Sequence, residues 1–109
     1  MANDITALKK LSENSTDEKY KLIFSSKFKK KWKKYSRSGR YDFIEVSDIL
    51  HALSRGSDLD SKYRNHALKG NWVGFKECHI QGDLLLIYRI EDEELKLADL
   101  GTHSELFGN

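Results

Sequence analysis

The sequence predicts an α+β domain in which an N-terminal helical hairpin packs on one face of a small antiparallel sheet. Two amphipathic stretches come first, Phe28-Trp32-Tyr35 and Phe43-Val46-Ile49-Leu50-Leu53, joined by a short polar link at residues 36–40. Segments of period two then follow, separated by tight turns, which is the pattern of hairpin-connected strands. Among them the run Leu84-Leu85-Leu86-Ile87-Tyr88 is apolar on both faces, as a central strand requires.

Taken in order, residues 1–19 form an extension and residues 20–109 the domain, and a chain of 109 residues has room for one core. In the extension, Ile5, Leu8 and Leu11 share a helical face that Asp4 can cap. One narrow stripe followed by polar residues makes a marginal helix. Tyr20, Leu22 and Phe24 alternate as a first strand, and Ser25 or Ser26 caps the first helix. Its stripe of Phe28, Trp32 and Tyr35 faces the core rather than stacking on bases, because so basic a helix needs an apolar anchor. Gly56 fits the position just past the end of the second helix. His51 lies inside that helix, off its stripe, and is read as structural or solvent-facing.

Periodicity is lost from Ser57 to about Val73, and a loop of that length in a small domain usually has a task. Val73, Phe75, Glu77 and His79 then alternate with Lys76, Cys78 and Ile80 as a strand, placing Cys78 and His79 on opposite faces. Gln81-Gly82-Asp83 makes a hairpin turn into the central strand, residues 91–94 make the next turn, and residues 95–100 form the last strand.

The formal net charge is +2, but Lys27, Lys29, Lys30, Lys31, Lys33 and Lys34 concentrate it on one helix. Such a face attracts phosphate backbones without reading their sequence, or serves simply as a solvated surface. Cys78 is the single cysteine, which excludes an intrachain disulfide and argues against a cysteine-based zinc site. Asp4, Lys9 and Lys10 interrupt any signal-peptide core, and the longest apolar run is far short of a membrane span. A soluble cytoplasmic protein with no membrane partner is expected.

The groups able to move protons are His66 in the basic loop, His79 at a strand end, Asp83 in the hairpin turn and His103 after the last strand. Imidazoles exchange protons near neutral pH, and several of them beside a phosphodiester make general acid–base catalysis feasible. RNA carries its own nucleophile, the 2′-hydroxyl, and the charge that develops on phosphate calls for cationic donors. Arg64, Lys69, Lys76 and Arg89 are the available ones. Each histidine taken alone has a plainer reading as a satisfied carbonyl partner or loop cap. A His/Asp metal site is a weaker alternative, because no two of these three histidines stand at a helix-face or alternate-strand spacing.

Three ordered motifs make the sequence resemble the YafQ branch of the RelE/ParE toxin superfamily. They are Arg64-Asn65-His66-Ala67-Leu68-Lys69-Gly70-Asn71-Trp72, then the stretch from Glu77 through Asp83 to Tyr88, then Gly101-Thr102-His103-Ser104-Glu105-Leu106-Phe107. The resemblance implies a RelE-like fold and a toxin of a bacterial toxin–antitoxin pair that cleaves translated mRNA on the ribosome without a metal or other cofactor. It implies His103 as the general acid, His66, His79 and Asp83 sharing base and charge-stabilising roles, and Phe107 orienting substrate. The implied partners are a cognate antitoxin, the ribosome with its message, and operator DNA only together with the antitoxin. The alternatives are a toxin of the superfamily that poisons translation or replication by binding alone, and a non-catalytic RNA- or DNA-binding module. Leu84 and Gly82 depart from the tryptophan and proline common in relatives. Asn65 replaces an aspartate, which removes a carboxylate that can orient His66, and the extension before Tyr20 is longer than the resemblance leads one to expect.

Overall fold

The computed structural model of the chain describes residues 18–108. The helix read over Ile5, Leu8 and Leu11 lies outside the described residues. Strand β1 (Lys21–Phe24) leads into helix α1 (Ser26–Ser36), and α2 (Phe43–Ser54) completes the helical hairpin. Strands β2 (His66–Ala67), β3 (Lys76–Gln81), β4 (Leu84–Glu91) and β5 (Glu94–Thr102) follow, and a short helix α3 (His103–Phe107) ends the domain.

Local chemistry explains the boundaries. The Ser25 hydroxyl accepts from the Phe28 amide at 2.9 Å and donates to the Ala98 carbonyl at 2.7 Å, so it caps α1 and fastens it to β5. Asp42 caps α2 by accepting from the Ile44 amide at 2.9 Å. The far end of α2 closes through Gly56 at φ +77°, with Gly56 N–H donating to Leu53 and Ser57 N–H to Ala52, the paired bonds of a Schellman motif.

The sheet order is β1-β5-β4-β3-β2. The run Leu84-Leu85-Leu86-Ile87-Tyr88 therefore occupies the middle strand, buried on both faces as its composition requires. Leu84, Leu86 and Tyr88 join Cys78, Ile80, Leu95, Leu97 and Leu100 against Phe28, Trp32, Tyr35, Val46, Leu50 and Leu53 of the helices. Leu85 and Ile87 are buried on the other side.

The structure corrects the sequence reading in three places. The sheet is mixed rather than wholly antiparallel: β1 pairs parallel with β5, the long connection through the helical hairpin serving as the crossover that parallel pairing needs. The stretch read as loop holds 3₁₀ turns at Ser61–Tyr63 and Gly70–Trp72 and the edge strand β2, whose two residues are too few to show a period. The residues after the last strand form α3, where Thr102 accepts from the Glu105 amide as N-cap.

Two bulges re-aim side chains. One in β3 lies between His79 and Gln81 and turns Gln81 toward the start of α2. There Gln81 accepts from the Asp42 amide at 2.7 Å and donates to Glu45 Oε1 at 2.6 Å, tying the sheet's end to the helix. The other lies opposite the Ile87/Tyr88 step.

Leu86 is fully buried, between Cys78 on one neighbouring strand and Leu100 on the other. Leu86→Ala is expected to destabilise the domain by about 2–5 kcal/mol, read from denaturant unfolding.

Candidate active site

The ladder of the sheet sets the site. His66 pairs with Glu77 across β2 and β3, Glu77 with Ile87, and Ile87 with Asp99. Two residues along β3, His79 pairs with Leu85, and Leu85 with Gly101. Glu77 and His79 thus share the face turned away from the helical hairpin.

On that face the Glu77 carboxylate lies between two imidazoles. Its Oε1 is 3.3 Å from His66 Nε2 and 3.2 Å from His79 Nε2, and the two rings stand 6.2 Å apart. Glu77 is 5% exposed, which makes the contact a poorly screened one. His66 Nδ1 lies 2.6 Å from the Arg64 carbonyl; a carbonyl only accepts, so Nδ1 carries the proton of that bond and Nε2 turns to Glu77. Arg64 itself adopts φ 50°, a left-handed turn that aims its carbonyl back at the ring.

Asn65, next to His66 in sequence, is engaged by β4. Its side chain does not orient His66; Asn65 Oδ1 accepts the Tyr88 hydroxyl at 2.6 Å. Burial foremost pushes the Tyr88 phenol up to about 12, and the Asn65 bond opposes that rise, so the hydroxyl stays a donor. The Arg64 carbonyl and Glu77 hold His66 instead.

His103 opens α3 and Phe107 sits one turn later, their rings 5.1 Å apart. Glu105 anchors this short helix to α1. It accepts from the Tyr35 hydroxyl at 2.5 Å and pairs with Lys34 at 3.0 Å and Lys31 at 3.5 Å. Lys31 also reaches Asp99 at 3.4 Å. Burial would raise the Glu105 carboxyl, but the Tyr35 bond and the two lysines outweigh it and bring it down to about 2. Gly101 lets α3 fold back over β5, because a Cβ there would lie 2.3 Å from Glu105 Oε1.

A carboxyl held below its ordinary 4.5 adds stability above that value and loses it as pH falls toward about 2. The difference in melting temperature between wild type and Glu105→Gln should therefore be full at neutral pH and shrink between about pH 5 and pH 2. Because the Glu105 side chain is 24% exposed, solvent screening keeps that difference modest.

Asp83 lies in the two-residue turn between β3 and β4. It accepts from the Tyr41 hydroxyl at 2.5 Å and faces Arg40 at 3.7 Å, so its partners come from the link between α1 and α2. Leu84 pairs with Thr102, which sets Asp83 and His103 at the same end of neighbouring strands. Two strand spacings of about 4.8 Å separate His79 from Gly101 along their row. His51 is half-buried on α2. Cys78 faces the core, and burial foremost pushes its thiol up to about 12, so it is no nucleophile.

The cationic groups fall into two sets. Lys27, Lys29, Lys30 and Lys33 are exposed along α1, whereas Lys31 and Lys34 are engaged by Glu105. Arg64, Lys69 and Lys76 are exposed around β2, and Arg89 is ion-paired with Glu91 and lies over the Phe75 ring.

Sequence reasoning missed Glu77 and Glu105. The signal for Glu77 was present, since period two places it on the His79 face. Its pairing with His66 rests on a strand too short to see. Among the described residues no group of three or more His, Cys, Asp or Glu side chains is placed to hold a metal ion. No described helix is long and apolar enough to cross a membrane.

Fold and site together define a small α+β protein with acid–base groups around one end of a mixed sheet and a lysine-rich helix beside it. The chain belongs to the YafQ family, bacterial toxins of type II toxin–antitoxin systems, whose profile matches residues 20–108. A protein of Haemophilus influenzae bearing the YafQ toxin name is 48% identical over 60 residues, 51% of this chain and 59% of the relative. The mRNA interferase toxin YafQ of Escherichia coli K12 is 29% identical over 92 residues, 84% of this chain and 96% of its own. Its fold is matched in the E. coli DinJ–YafQ toxin–antitoxin complex, with TM-score 0.73, 27% identity, and coverage of 83% and 99%. A copper-bound toxin from Helicobacter pylori gives TM-score 0.75 at 40% identity, covering 79% of this chain and 97% of that one.

Proposed function

We propose that the protein is an endoribonuclease toxin that cuts translated mRNA on the ribosome and is neutralised by a cognate antitoxin. The observation that carries this reading is the Glu77 carboxylate set between His66 and His79, on a strand two spacings across the sheet from the one that leads into α3 and His103. A buried carboxylate oxygen facing two imidazoles can hold a proton and pass it on, so His66, Glu77 and His79 take up the proton of the 2′-hydroxyl as a unit. The freed oxygen bonds to the adjacent phosphorus, the bond from phosphorus to the 5′-oxygen breaks, and His103 protonates the departing oxygen. Phe107, one helical turn away, packs its ring against that of His103 at a tilted angle. Lys69 brings positive charge to the phosphate, whereas Lys76 alternates with Glu77 and lies on the other face of β3, and Asp83, fixed by Tyr41 and Arg40, braces the turn between the strand ends.

The exposed lysines of α1 suit the RNA of the ribosome, a surface that needs positive charge without base reading. The E. coli relative is known in complex with DinJ, which supports an antitoxin as partner here; operator DNA would be met only through that antitoxin. Acid–base chemistry by the chain's own side chains needs no cofactor. The test is a map of cuts in translated message after induced expression. Wild type should cut at defined positions that disappear in His103→Ala. A toxin that acts by binding alone would arrest growth equally in both and leave the message intact.

A further inference from the structure

We infer that Trp72, Phe75 and Arg89 form a nucleobase platform, holding the base one nucleotide along the message from the bond that is cut. This rests on the endoribonuclease reading above and adds a binding site to it.

The platform lies in the same ladder as the histidines. Below the pairs His79–Leu85 and His66–Glu77, the Leu68 amide donates to the Phe75 carbonyl at 2.9 Å, continuing the contact of β2 with β3. One residue beyond the Lys76–Tyr88 pair, Phe75 comes beside Arg89, whose guanidinium is 5.2 Å from the ring centre. Phe75, just before β3, and Glu77 and His79 within it therefore follow one another on one face at intervals of two residues, about 6.6 Å each. That interval is close to the reach of one extended nucleotide. A phosphate beside the imidazoles leaves the neighbouring base at the Trp72, Phe75 and Arg89 group.

The rings there are arranged as a surface and not as core. Trp72 stands perpendicular to Phe75 at 5.3 Å, fixed by the Gly70–Trp72 turn and by the Phe75 amide donating to the Trp72 carbonyl at 3.0 Å. Tyr20, Phe24, Tyr41 and Tyr63 are partly buried and pack on the core cluster, whereas Trp72 and Phe75 are partly buried outside it. Val73 between them is 73% exposed. Arg89, ion-paired with Glu91, sits over Phe75, so a guanidinium and an indole both border the Phe75 ring. Exposed Lys69, just before the Gly70–Trp72 turn, adjoins the platform and matches the charge of an RNA backbone.

The experiment has two readouts. In a translation extract, Trp72→Leu should cut reporter message with a KM raised about five- to a hundredfold and a weakened position preference, and Trp72→Phe should restore most of both. Unchanged kinetics and cut positions in Trp72→Leu, with wild type active, overturn the platform and leave the endoribonuclease standing. In the His103→Ala protein, tryptophan emission should be quenched by a short oligoribonucleotide more strongly than by one carrying an abasic site. That difference should vanish in the His103→Ala, Trp72→Phe double variant, because Trp32 is buried at 2% exposure. Equal quenching by the two oligomers, or none, overturns the platform by itself. A wild type that leaves every message intact overturns the endoribonuclease while the quenching contrast still decides whether the surface binds bases.

Discussion

His103→Ala is expected to lower message cleavage by about 10²- to 10⁴-fold while antitoxin binding stays at the wild-type level. The size follows from what a positioned general acid contributes when a poor leaving group must depart. His103 can be removed cleanly because it is exposed at the start of a five-residue helix, where its ring touches Phe107 and fills no cavity. The N-cap from Thr102 and the anchors of Glu105 to Tyr35, Lys34 and Lys31 remain in the variant. Its melting temperature should accordingly match wild type within about 2–4 °C, since surface substitutions of this kind shift stability by under about 0.5 kcal/mol. A variant that folds, binds antitoxin and cuts at the wild-type rate removes His103 from the chemistry.

Glu77→Gln should have the second largest effect, a loss of about 10²-fold or more in cleavage with a changed pH–rate profile. Glutamine keeps the shape of the side chain and its place in β3, but it replaces the charged carboxylate that faces both rings with a neutral amide. His66 keeps the Arg64 carbonyl as its partner and His79 loses its Glu77 partner, so the two imidazoles no longer act through one carboxylate. The charged neighbours on this face include His66, His79, Arg89 and, one strand beyond Ile87, Asp99. A purely structural Glu77 predicts a different result: lower yield of folded protein, with unchanged cleavage per folded molecule and an unchanged pH profile.

The difference between what the sequence showed and what it hid has a physical basis. The helical hairpin was legible because a stripe such as Phe28, Trp32 and Tyr35 has one solution, burial against a sheet, and all three are buried. The central strand was legible for a similar reason, since Leu84-Leu85-Leu86-Ile87-Tyr88 leaves no face for water. Strand direction was hidden. Nothing in Lys21-Leu22-Ile23-Phe24 distinguishes parallel from antiparallel pairing, which depends on where the chain returns after some seventy residues. The site divides in the same way. Histidines stand out because few residues share their chemistry, whereas Glu77 is one acidic residue among 17 and becomes special only when β2 delivers His66 opposite it. Glu105 was hidden for the same reason, because its function depends on helix α1 being seventy residues distant in sequence and adjacent in space.

The lysine cluster carries a further lesson about reading charge from composition. Lys31 and Lys34 belong to the anchoring of α3, leaving Lys27, Lys29, Lys30 and Lys33 for any polyanion. Reversing Lys34 to glutamate would therefore disturb His103 and Phe107 through Glu105 as well as weakening attraction to RNA.

The central claim is that imidazoles and a shared carboxylate activate the message's own 2′-hydroxyl. The most direct measurement uses a translated message carrying one 2′-deoxynucleotide immediately 5′ of the bond that is cut, with the products' ends identified. The account predicts that this bond survives while the all-ribose message is cut to leave a cyclic or 3′-terminal phosphate and a 5′-hydroxyl. Cleavage of the deoxy-substituted bond at the ribose rate, leaving a 5′-phosphate, would contradict it.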